Sequence, residues 1–231
     1  MELFNQVEWQ VSGVSDLKQD SWYLLISNHK SWLDIPVLSQ FALNRIPEPK
    51  FFLKEELKWV PFIGSASWAL DMPFMKRYSR ELIAKKPHLR GKDLDTTRRA
   101  CEKYKDYPVS VMSYLEGTRA TPEKMAASKT PFRHLLPPKS AGAAFVLNAL
   151  GEKMESVLDL TIAYPNAVPS FWDFCCGRVR RIVVDVALRE IPVHFCQGNF
   201  ESDPAFREEF AQWTQQLWAE KDDLLLTLQR V

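Results

Sequence analysis

A histidine and an aspartate five residues apart are the side chains of this 231-residue sequence whose types and spacing first suggest chemistry. His29 follows the apolar residues 22–26, and Asp34 stands where a helix is predicted to begin. A carboxylate that bonds one imidazole nitrogen fixes the tautomer and leaves the other nitrogen free as a base. Imidazole, with an ordinary pKa of about 6.5, is suited to proton abstraction near neutral pH. Taken alone, however, the pair fits better a loop histidine beside a plain helix N-cap.

A second polar stretch follows another predicted strand and consists of Glu116, Gly117, Thr118 and Arg119. Folds of the α/β class place binding sites at the carboxyl ends of strands. Glycine permits close approach of a ligand to the backbone, and the arginine fork matches two phosphate oxygens. On its own, the stretch also fits a tight turn with an exposed ion pair.

The elements that would position these residues are predicted from hydrophobic periodicity and from capping residues. Alternation or short apolar runs predict strands over residues 7–11, 22–26, 51–53, 109–114, 157–163 and 182–188. Helices are predicted over residues 34–43, 93–105 and 203–228. The expected N-caps of these three helices are Asp34, Asp93 and Asp203.

The order of these elements predicts the fold class. Strands that alternate with helices indicate an α/β fold, with a central mostly parallel or mixed sheet flanked by helices. No composition change marks a boundary, so residues 1–231 are expected to form a single domain. One face of the last helix is expected to pack in the core, and it carries Phe206, Phe210, Trp213 and Leu217.

Composition excludes several classes of protein. Hydrophobic residues make up 46% of the chain, which is enough for a sizeable core and argues against disorder. The net charge of +1 gives no field typical of a nucleic-acid-binding domain. The four cysteines form no CxxC pair, which favours a reduced compartment. The four histidines show no metal-ligand spacing, so no metal is expected.

Two features favour a partner that carries lipid or negative charge. Residues 59–68 (WVPFIGSASW) are rich in aromatics and lie near three lysines, as in an interfacial membrane anchor, although a core segment fits equally well. Residues 76–103 carry ten basic and four acidic side chains. Such a run is commonly a solvated face, but beside the candidate site it could meet anionic substrates or headgroups. No charge-free apolar run reaches the ~18 residues that a membrane span needs.

Taken together and in this order, the two polar stretches are more specific than either alone. Asn28, His29 and Asp34 form the pattern N-H-x-x-x-x-D, and Glu116 to Arg119 read E-G-T-R. This combination resembles the glycerolipid acyltransferase family, to which bacterial lysophosphatidic acid acyltransferases belong. Tyr114 and Leu115 stand where that family usually has phenylalanine and proline.

The resemblance extends over most of the chain, from about residue 9 to residue 191. A looser second motif ends at Arg77, and residues 160–165 resemble the hydrophobic strand of the fourth motif, which ends in proline. Lys139 and Gly142 match a basic residue and a glycine that follow the third motif. Within the family, residues 71–77 and the surroundings of His29 look most similar to the bacterial YihG-like branch, which itself resembles the lysocardiolipin-type enzymes.

The resemblance implies the glycerolipid acyltransferase fold and an O-acyltransferase activity. A fatty acyl group would pass from acyl-CoA, or from acyl-carrier protein, to the hydroxyl of a lysophospholipid such as lysophosphatidic acid. His29 would act as the general base and Asp34 would orient it. Backbone N–H groups near Gly117 are candidates for stabilising the oxyanion. No cofactor is implied beyond the acyl donor, and the substrate-binding residues would be Asn28, Arg77, Glu116, Gly117, Thr118, Arg119 and Lys139.

The resemblance also implies a place of action and leaves rival functions open. The expected location is the cytoplasmic face of the bacterial inner membrane, as a peripheral protein, because the usual N-terminal membrane helices are expected to be absent from this chain. The alternative is a membrane-anchored protein from which such helices were removed. The alternatives are a catalytically inactive lipid-binding module of the same fold and a phospholipid transacylase. A thiol or serine hydrolase is a weaker alternative, because Cys101 and Cys175 lack a recognisable histidine partner and no G-x-S-x-G motif is present.

Overall fold

A computed structural model of the chain describes residues 7–14, 16–75, 85–86, 92–151, 153–198, 200 and 202–229. In this part of the chain, six strands form the main sheet in the order β1-β8-β7-β2-β6-β3. Their bounds are β1 Glu8–Gly13, β2 Trp22–Ser27, β3 Pro49–Phe51, β6 Ser110–Ser113, β7 Met154–Ala163 and β8 Arg181–Arg189. A separate two-stranded sheet pairs β4 Leu53–Lys54 with β5 Phe74–Met75.

Helices flank the main sheet and complete an α/β domain. Their bounds are α1 Asp34–Ala42, α2 Ile63–Ala69, α3 Lys92–Tyr104, α4 Pro122–Ala127, α5 Ala141–Leu150, α6 Phe171–Cys175, α7 Val193–Gln197 and α8 Pro204–Leu228, with a 3₁₀ helix at Glu55–Trp59. Strands β7 and β8 pair antiparallel, whereas the other neighbours in the main sheet pair parallel. The predicted mixed α/β fold is therefore confirmed.

The two faces of the main sheet pack against different helices. Leu24 and Ile26 of β2 join a core cluster with residues of α5 and α8, whereas Tyr23 and Leu25 join a second cluster with residues of α1. Successive side chains of a strand point to opposite faces, so a strand covered on both sides is apolar throughout. This explains why the predicted strand at residues 22–26 shows no polar alternation.

Helix prediction succeeded where capping and periodicity agree. Asp203 accepts hydrogen bonds from the backbone N–H groups of residues 205 and 206, and the predicted face of α8 packs in the core. Asp34 is not the N-cap of α1: Leu33 holds that position, and the carboxylate of Asp34 turns back toward residues 29–31. The side chain of Asp93 lies outside the described residues. Helix α5 was not predicted, because its sequence AGAAFVLNAL is apolar nearly all round.

Parallel pairing determines where functional residues can meet. In the sheet, β2 lies between β6 and β7 and runs parallel to both, with Ile26 opposite Ser113 and Ser27 opposite Leu160. The carboxyl ends of these three strands therefore lie at the same edge. His29 follows β2, the loop of residues 114–119 follows β6, and Tyr164 follows β7.

Candidate active site

The predicted pair of His29 and Asp34 is formed by a tight turn between β2 and α1. The Nδ1 atom of His29 lies 2.8 Å from Oδ2 of Asp34. The same oxygen accepts hydrogen bonds from the backbone N–H groups of Lys30, at 2.7 Å, and Ser31, at 2.9 Å. Because Asp34 is fully buried, these bonds replace the water that its charge would otherwise need.

A tyrosine that follows β7, and is distant in sequence, holds the other carboxylate oxygen. The Tyr164 hydroxyl donates a hydrogen bond to Oδ1 of Asp34 at 2.6 Å. Burial and the negative charge of Asp34 raise the pKa of Tyr164 well above its usual value, so the hydroxyl remains a donor. Sequence reasoning placed Tyr164 in the fourth motif but gave it no role. Its position directly after β7, a strand parallel to β2, is the signal that could have shown it.

The imidazole ring of His29 is fixed on one face and open at its second nitrogen. Its ring stacks on Tyr114, with centroids 4.0 Å apart and an interplanar angle of 19°. Among the described residues, Nε2 has no hydrogen-bond partner, and the side chain is 16% exposed. A base held through Nδ1, with Nε2 open, can take a proton from a bound hydroxyl.

The stacking partner itself carries a buried hydroxyl. Burial, and then the charge of Asp34, raise the pKa of Tyr114 well above its usual value. Its hydroxyl has no hydrogen-bond partner within the described part of the chain. Tyr114 therefore stays neutral and contributes its ring to the site, as the phenylalanine usual in the resembled family would.

The loop of residues 114–119 holds the backbone of His29 through hydrogen bonds, one of them to the side chain of Glu116. The His29 N–H donates to Oε1 of Glu116 at 2.8 Å, and the His29 carbonyl accepts from the Ala120 N–H at 2.7 Å. The other oxygen of Glu116 accepts from the Leu136 N–H at 2.9 Å. Glu116 is 1% exposed, and its carboxylate positions His29; a substrate contact by this residue stays a prediction.

Burial and neighbouring charges act in opposite directions on the pKa values of Glu116 and Lys30. Burial raises the pKa of Glu116 to about 7, while its two backbone hydrogen bonds and the charge of Lys30 act in the opposite direction. Burial lowers the pKa of Lys30, against the negative charges of Glu116, Asp34 and Asp222. Lys30 was not a predicted site residue, although it lies next to His29 in the sequence.

Asn28 also has a positioning role. Its side chain is fully buried, and its amide exchanges two hydrogen bonds of 2.9 Å with the backbone of Ile162. This pair of hydrogen bonds ties the end of β2 to β7. The side chain of Asn28 is therefore occupied within the fold, and the predicted substrate contact by this residue stays a prediction.

A close backbone approach occurs at Gly117, as its residue type suggests. Gly117 has φ of +66°, and a Cβ atom there would lie 3.2 Å from Cδ of Lys139. The Lys139 N–H donates to the carbonyl of Leu115 at 2.6 Å, so the predicted residues Gly117 and Lys139 lie together. The N–H of Gly117 donates to the carbonyl of Tyr114 at 2.9 Å, which removes this group as a candidate oxyanion donor.

Three cationic side chains lie on or beside this loop. The Arg119 guanidinium stacks over the Trp32 ring at 4.7 Å, and Lys139 packs against Gly117. Lys124, which sequence reasoning missed, donates to the hydroxyl of Thr118 and, at 3.3 Å, to the carbonyl of Arg119. The side chains of Arg119 and Thr118 are half-buried, so the loop carries positive charge close to His29. Arg77 lies outside the described residues.

Comparisons with known proteins identify relatives of this chain. The profile of the family described as Acyltransferase matches residues 8–164. The chain is 27% identical over 211 residues to lysocardiolipin acyltransferase 1 of Danio rerio, covering 86% of this chain and 50% of that protein. It is 30% identical over 186 residues to 1-acyl-sn-glycerol-3-phosphate acyltransferase gamma of Mus musculus, covering 76% of this chain and 44% of that protein.

A solved structure shares the fold. The crystal structure of the 1-acyl-sn-glycerophosphate (LPA) acyltransferase PlsC from Thermotoga maritima matches with a TM-score of 0.56 and 17% identity, over 94% of this chain and 72% of that chain. The chain spans about half the length of the curated relatives it matches.

Proposed function

The chain belongs to the acyltransferase family, and on that premise we propose that it transfers a fatty acyl group from an acyl thioester to the hydroxyl of a lysophospholipid. One observation carries the proposal: His29 is bonded through Nδ1 to a buried carboxylate at 2.8 Å, while its Nε2 has no partner among the described residues. The acyl donor is acyl-CoA or acyl-carrier protein, and the acceptor is a lysophospholipid such as lysophosphatidic acid.

The proposed reaction needs no covalent acyl-enzyme. The Nε2 atom of His29 takes the proton of the acceptor hydroxyl as its oxygen attacks the thioester carbonyl, and Asp34 stabilises the imidazolium that forms. Collapse of the tetrahedral intermediate breaks the carbon–sulfur bond, and the departing thiolate receives the proton from His29. A positioned base of this kind contributes about 10²–10⁴-fold in rate. Holding both substrates in place contributes further.

The acceptor phosphate is proposed to bind at the cationic loop. Arg119 presents a planar fork that suits two phosphate oxygens, and Lys124 and Lys139 add positive charge beside it. Arg119→Lys should therefore raise the KM for the acceptor markedly and leave the KM for the thioester unchanged. Steady-state assays that vary one substrate at a time would measure this, and an unchanged acceptor KM would remove Arg119 from this role.

The decisive experiment replaces the proposed base. His29→Ala should abolish acceptor-dependent release of free thiol from an acyl thioester. His194→Ala is the matched control, because His194 is exposed and pairs with Glu209 at 2.9 Å, on α7 and α8. Release at the wild-type rate by His29→Ala would reject the mechanism.

The same assay separates the rival functions. If the wild-type protein releases no thiol with any thioester and lysophospholipid tested, the inactive lipid-binding module is the better description. If acylated product forms from a phospholipid donor without any thioester, the protein is a transacylase.

We also propose that the protein acts at a membrane surface, the cytoplasmic face of the bacterial inner membrane. The aromatic segment of residues 59–68 is not core, because Trp59, Phe62 and Trp68 are 82%, 87% and 77% exposed. Exposed rings of this kind are typical of an interfacial anchor. In the described part of the chain, no helix combines the length and the apolar character needed to cross a bilayer.

Within the family, we propose a relationship to the bacterial YihG-like branch. The sequence over residues 71–77 and around His29 supports it. The curated relatives named above are eukaryotic and share at most 30% identity with the chain. A family tree in which the chain groups with eukaryotic lysocardiolipin acyltransferases, apart from bacterial sequences, would contradict this placement.

A further inference from the structure

A second exposed apolar surface lies in a segment that sequence reasoning did not single out. Helix α6 presents Phe171, 55% exposed, and Trp172, 71% exposed, just after Val168, 52% exposed. The two rings contact each other edge to face, with centroids 5.8 Å apart. Single exposed apolar residues are common on proteins, but adjacent exposed rings indicate a surface that contacts something apolar.

Local hydrogen bonds hold these rings outward in a defined shape. Ser170 and Asp173 form a reciprocal capping box at the start of α6, with bonds of 2.9 and 3.2 Å. Arg178 then folds back, donating from its N–H to the carbonyl of Asp173 at 2.8 Å and from its guanidinium to the carboxylate at 3.3 Å. Gly177, with φ of +67°, makes this reversal possible. The exposure of the rings is therefore a product of the fold.

This segment is joined directly to the loop that carries the proposed base. The Ser31 hydroxyl donates to the carbonyl of Pro169 at 2.5 Å, while the Ser31 N–H holds Asp34. The next residue, Trp32, is 49% exposed and lies under Arg119. The apolar tip of α6 thus adjoins the site that the proposed function requires to receive a lipid.

The charges of the segment indicate what kind of surface it meets. Residues 166–181 contain three arginines and one acidic residue, Asp173, which pairs with Arg178, while Arg181 pairs with Glu8 at 3.4 Å. Arg178 and Arg180 are exposed. Tryptophan and phenylalanine favour the boundary between headgroups and acyl chains, and arginine favours lipid phosphate. Aromatics at the tip with arginines behind them fit an anionic bilayer better than the core of a protein interface, where charge is depleted.

We infer that the tip of α6, formed by Val168, Phe171 and Trp172, inserts into the surface of an anionic phospholipid bilayer, with Arg178 and Arg180 at the phosphates. The inference rests on the proposed function in one respect, because it gives the lipid acceptor a route to His29. It goes beyond that function in assigning a second membrane-binding surface, separate in sequence from residues 59–68.

Vesicle sedimentation tests the inference without any turnover. The double variant F171S/W172S should bind vesicles of phosphatidylglycerol and phosphatidylcholine roughly tenfold more weakly than wild type, because it loses two rings of insertable surface. V193S is the matched control, because Val193 is 72% exposed but lies on α7; its binding should equal that of wild type. R180Q, which leaves the bond between Arg178 and Asp173 in place, should weaken binding to these vesicles and not to purely zwitterionic ones. Equal binding by wild type and F171S/W172S, with both folded, would overturn the inference.

Native cysteines provide a second readout on the unmodified protein. Cys175 and Cys176 are exposed at the end of α6, and Cys196 is partly buried on α7. Alkylation of the first two, followed by peptide mass, should slow on anionic vesicles relative to Cys196. Unchanged rates on vesicles that bind the protein would place α6 away from the bilayer and contradict the inference.

The outcomes separate this inference from the proposed function. Protection of Cys175 and Cys176 that depends on protein concentration without vesicles would show that a second copy of the chain covers α6, which overturns the inference. A protein that binds vesicles through α6 but releases no thiol would contradict the proposed function alone. A protein that releases thiol while F171S/W172S binds vesicles normally would contradict this inference alone.

Discussion

The carboxylate of Asp34 determines how the candidate base is held. A fully buried carboxylate is unfavourable unless its oxygens are hydrogen-bonded. Here two backbone N–H groups, the Tyr164 hydroxyl and the His29 ring surround it. Because both oxygens are engaged from several directions, the carboxylate cannot rotate without losing bonds. The orientation of the His29 ring is therefore fixed before any substrate binds.

Tyr164→Phe tests this positioning role by removing one of those bonds. We expect kcat to fall about tenfold, which corresponds to the loss of one hydrogen bond to a charged group, and the KM values to change little. Tyr107→Phe is the matched control, because the Tyr107 hydroxyl bonds Asp71 at the surface, at 3.3 Å. A raised KM with an unchanged kcat would indicate that Tyr164 contacts substrate instead of acting through Asp34.

Glu116 makes a contribution to folding stability that decreases as pH rises. Burial raises its pKa to about 7 in the folded chain, against 4.5 for an ordinary glutamate. Between these values the folded chain binds more protons at this site than the unfolded chain. The contribution of Glu116 to stability therefore falls as pH rises through this range and stays low above it. Ionised Glu116 nevertheless accepts both backbone hydrogen bonds, one from His29 and one from Leu136.

Glu116→Gln removes that pH-dependent contribution. The unfolding free energy of wild type relative to the variant should fall by roughly 3 kcal/mol between about pH 4.5 and pH 8, measured by urea denaturation. Glu123→Gln is a control with the opposite sign, because a hydrogen bond from Thr121 lowers the pKa of Glu123. For that exposed residue, the difference should be small and should rise with pH. A pH-independent difference for Glu116→Gln would contradict the raised pKa.

At the level of single residues, the sequence predicted which side chains of the site lie close together better than it predicted what each of them does. The spacing of His29 and Asp34 did not predict their pairing alone, but it did together with the E-G-T-R stretch, and the two side chains lie 2.8 Å apart. The sequence did not show that Asn28 and Glu116 hold backbone groups, because a polar residue in a motif looks the same in sequence whether it binds a ligand or a backbone. Tyr164 reaches Asp34 from 130 residues away. Only the pairing of β2 with β7 brings the two together, and spacing along the chain does not reveal it.

At the scale of elements, α8 holds both the sheet and the loop behind the site. Lys221 of α8 is fully buried, donates to the Leu160 carbonyl at 2.8 Å and pairs with Asp159 of β7. The next residue, Asp222, accepts from the N–H groups of Arg133 and His134 at 2.8 and 2.7 Å. The loop that begins there leads to the Leu136 N–H bonded to Glu116, so α8 is connected through hydrogen bonds to His29.

Lys221→Met tests the importance of the buried pair. Removing one partner leaves the Asp159 carboxylate buried, with Arg189 at 3.6 Å, and should destabilise the protein by about 3–5 kcal/mol in urea denaturation. Lys105→Met is the control, because Lys105 pairs with Glu102 at the surface; its effect should stay below about 1 kcal/mol. The double variant K221M/D159L should recover much of the lost stability. A loss as small as that of the control would show that α8 is held by apolar packing alone.

Elements were predictable in proportion to their length and amphipathic character. Helix α8 has a cap, a proline at its first position and one apolar face over 25 residues. Helices α4, α6 and α7 have only five or six residues, too few for a period of 3.6 to show. The sequence therefore did not predict that the aromatic side chains of α6 form an exposed surface.

At the scale of the whole molecule, exposed aromatic rings are concentrated in two segments. The sheet has one core cluster on each face, and these clusters bury most of the large apolar side chains of the described residues. Several large exposed rings fall in residues 59–68, and two more fall in α6. Phe62 even has φ of +64°, which is unfavourable for a bulky residue. A surface that contacts only water gains no stability from exposed rings, whereas attachment to a bilayer would bury the rings of both segments.

If both segments insert into the same bilayer, their contributions to the free energy of binding should add. W59S/W68S and F171S/W172S should each weaken vesicle binding roughly tenfold, and the quadruple variant should weaken it roughly a hundredfold. If instead either segment suffices, each double variant would bind nearly as well as wild type and only the quadruple variant would be impaired. Sedimentation of all four proteins over a series of lipid concentrations measures the difference. Near-normal binding by both double variants would contradict simultaneous insertion, because two segments on one bilayer cannot each be dispensable.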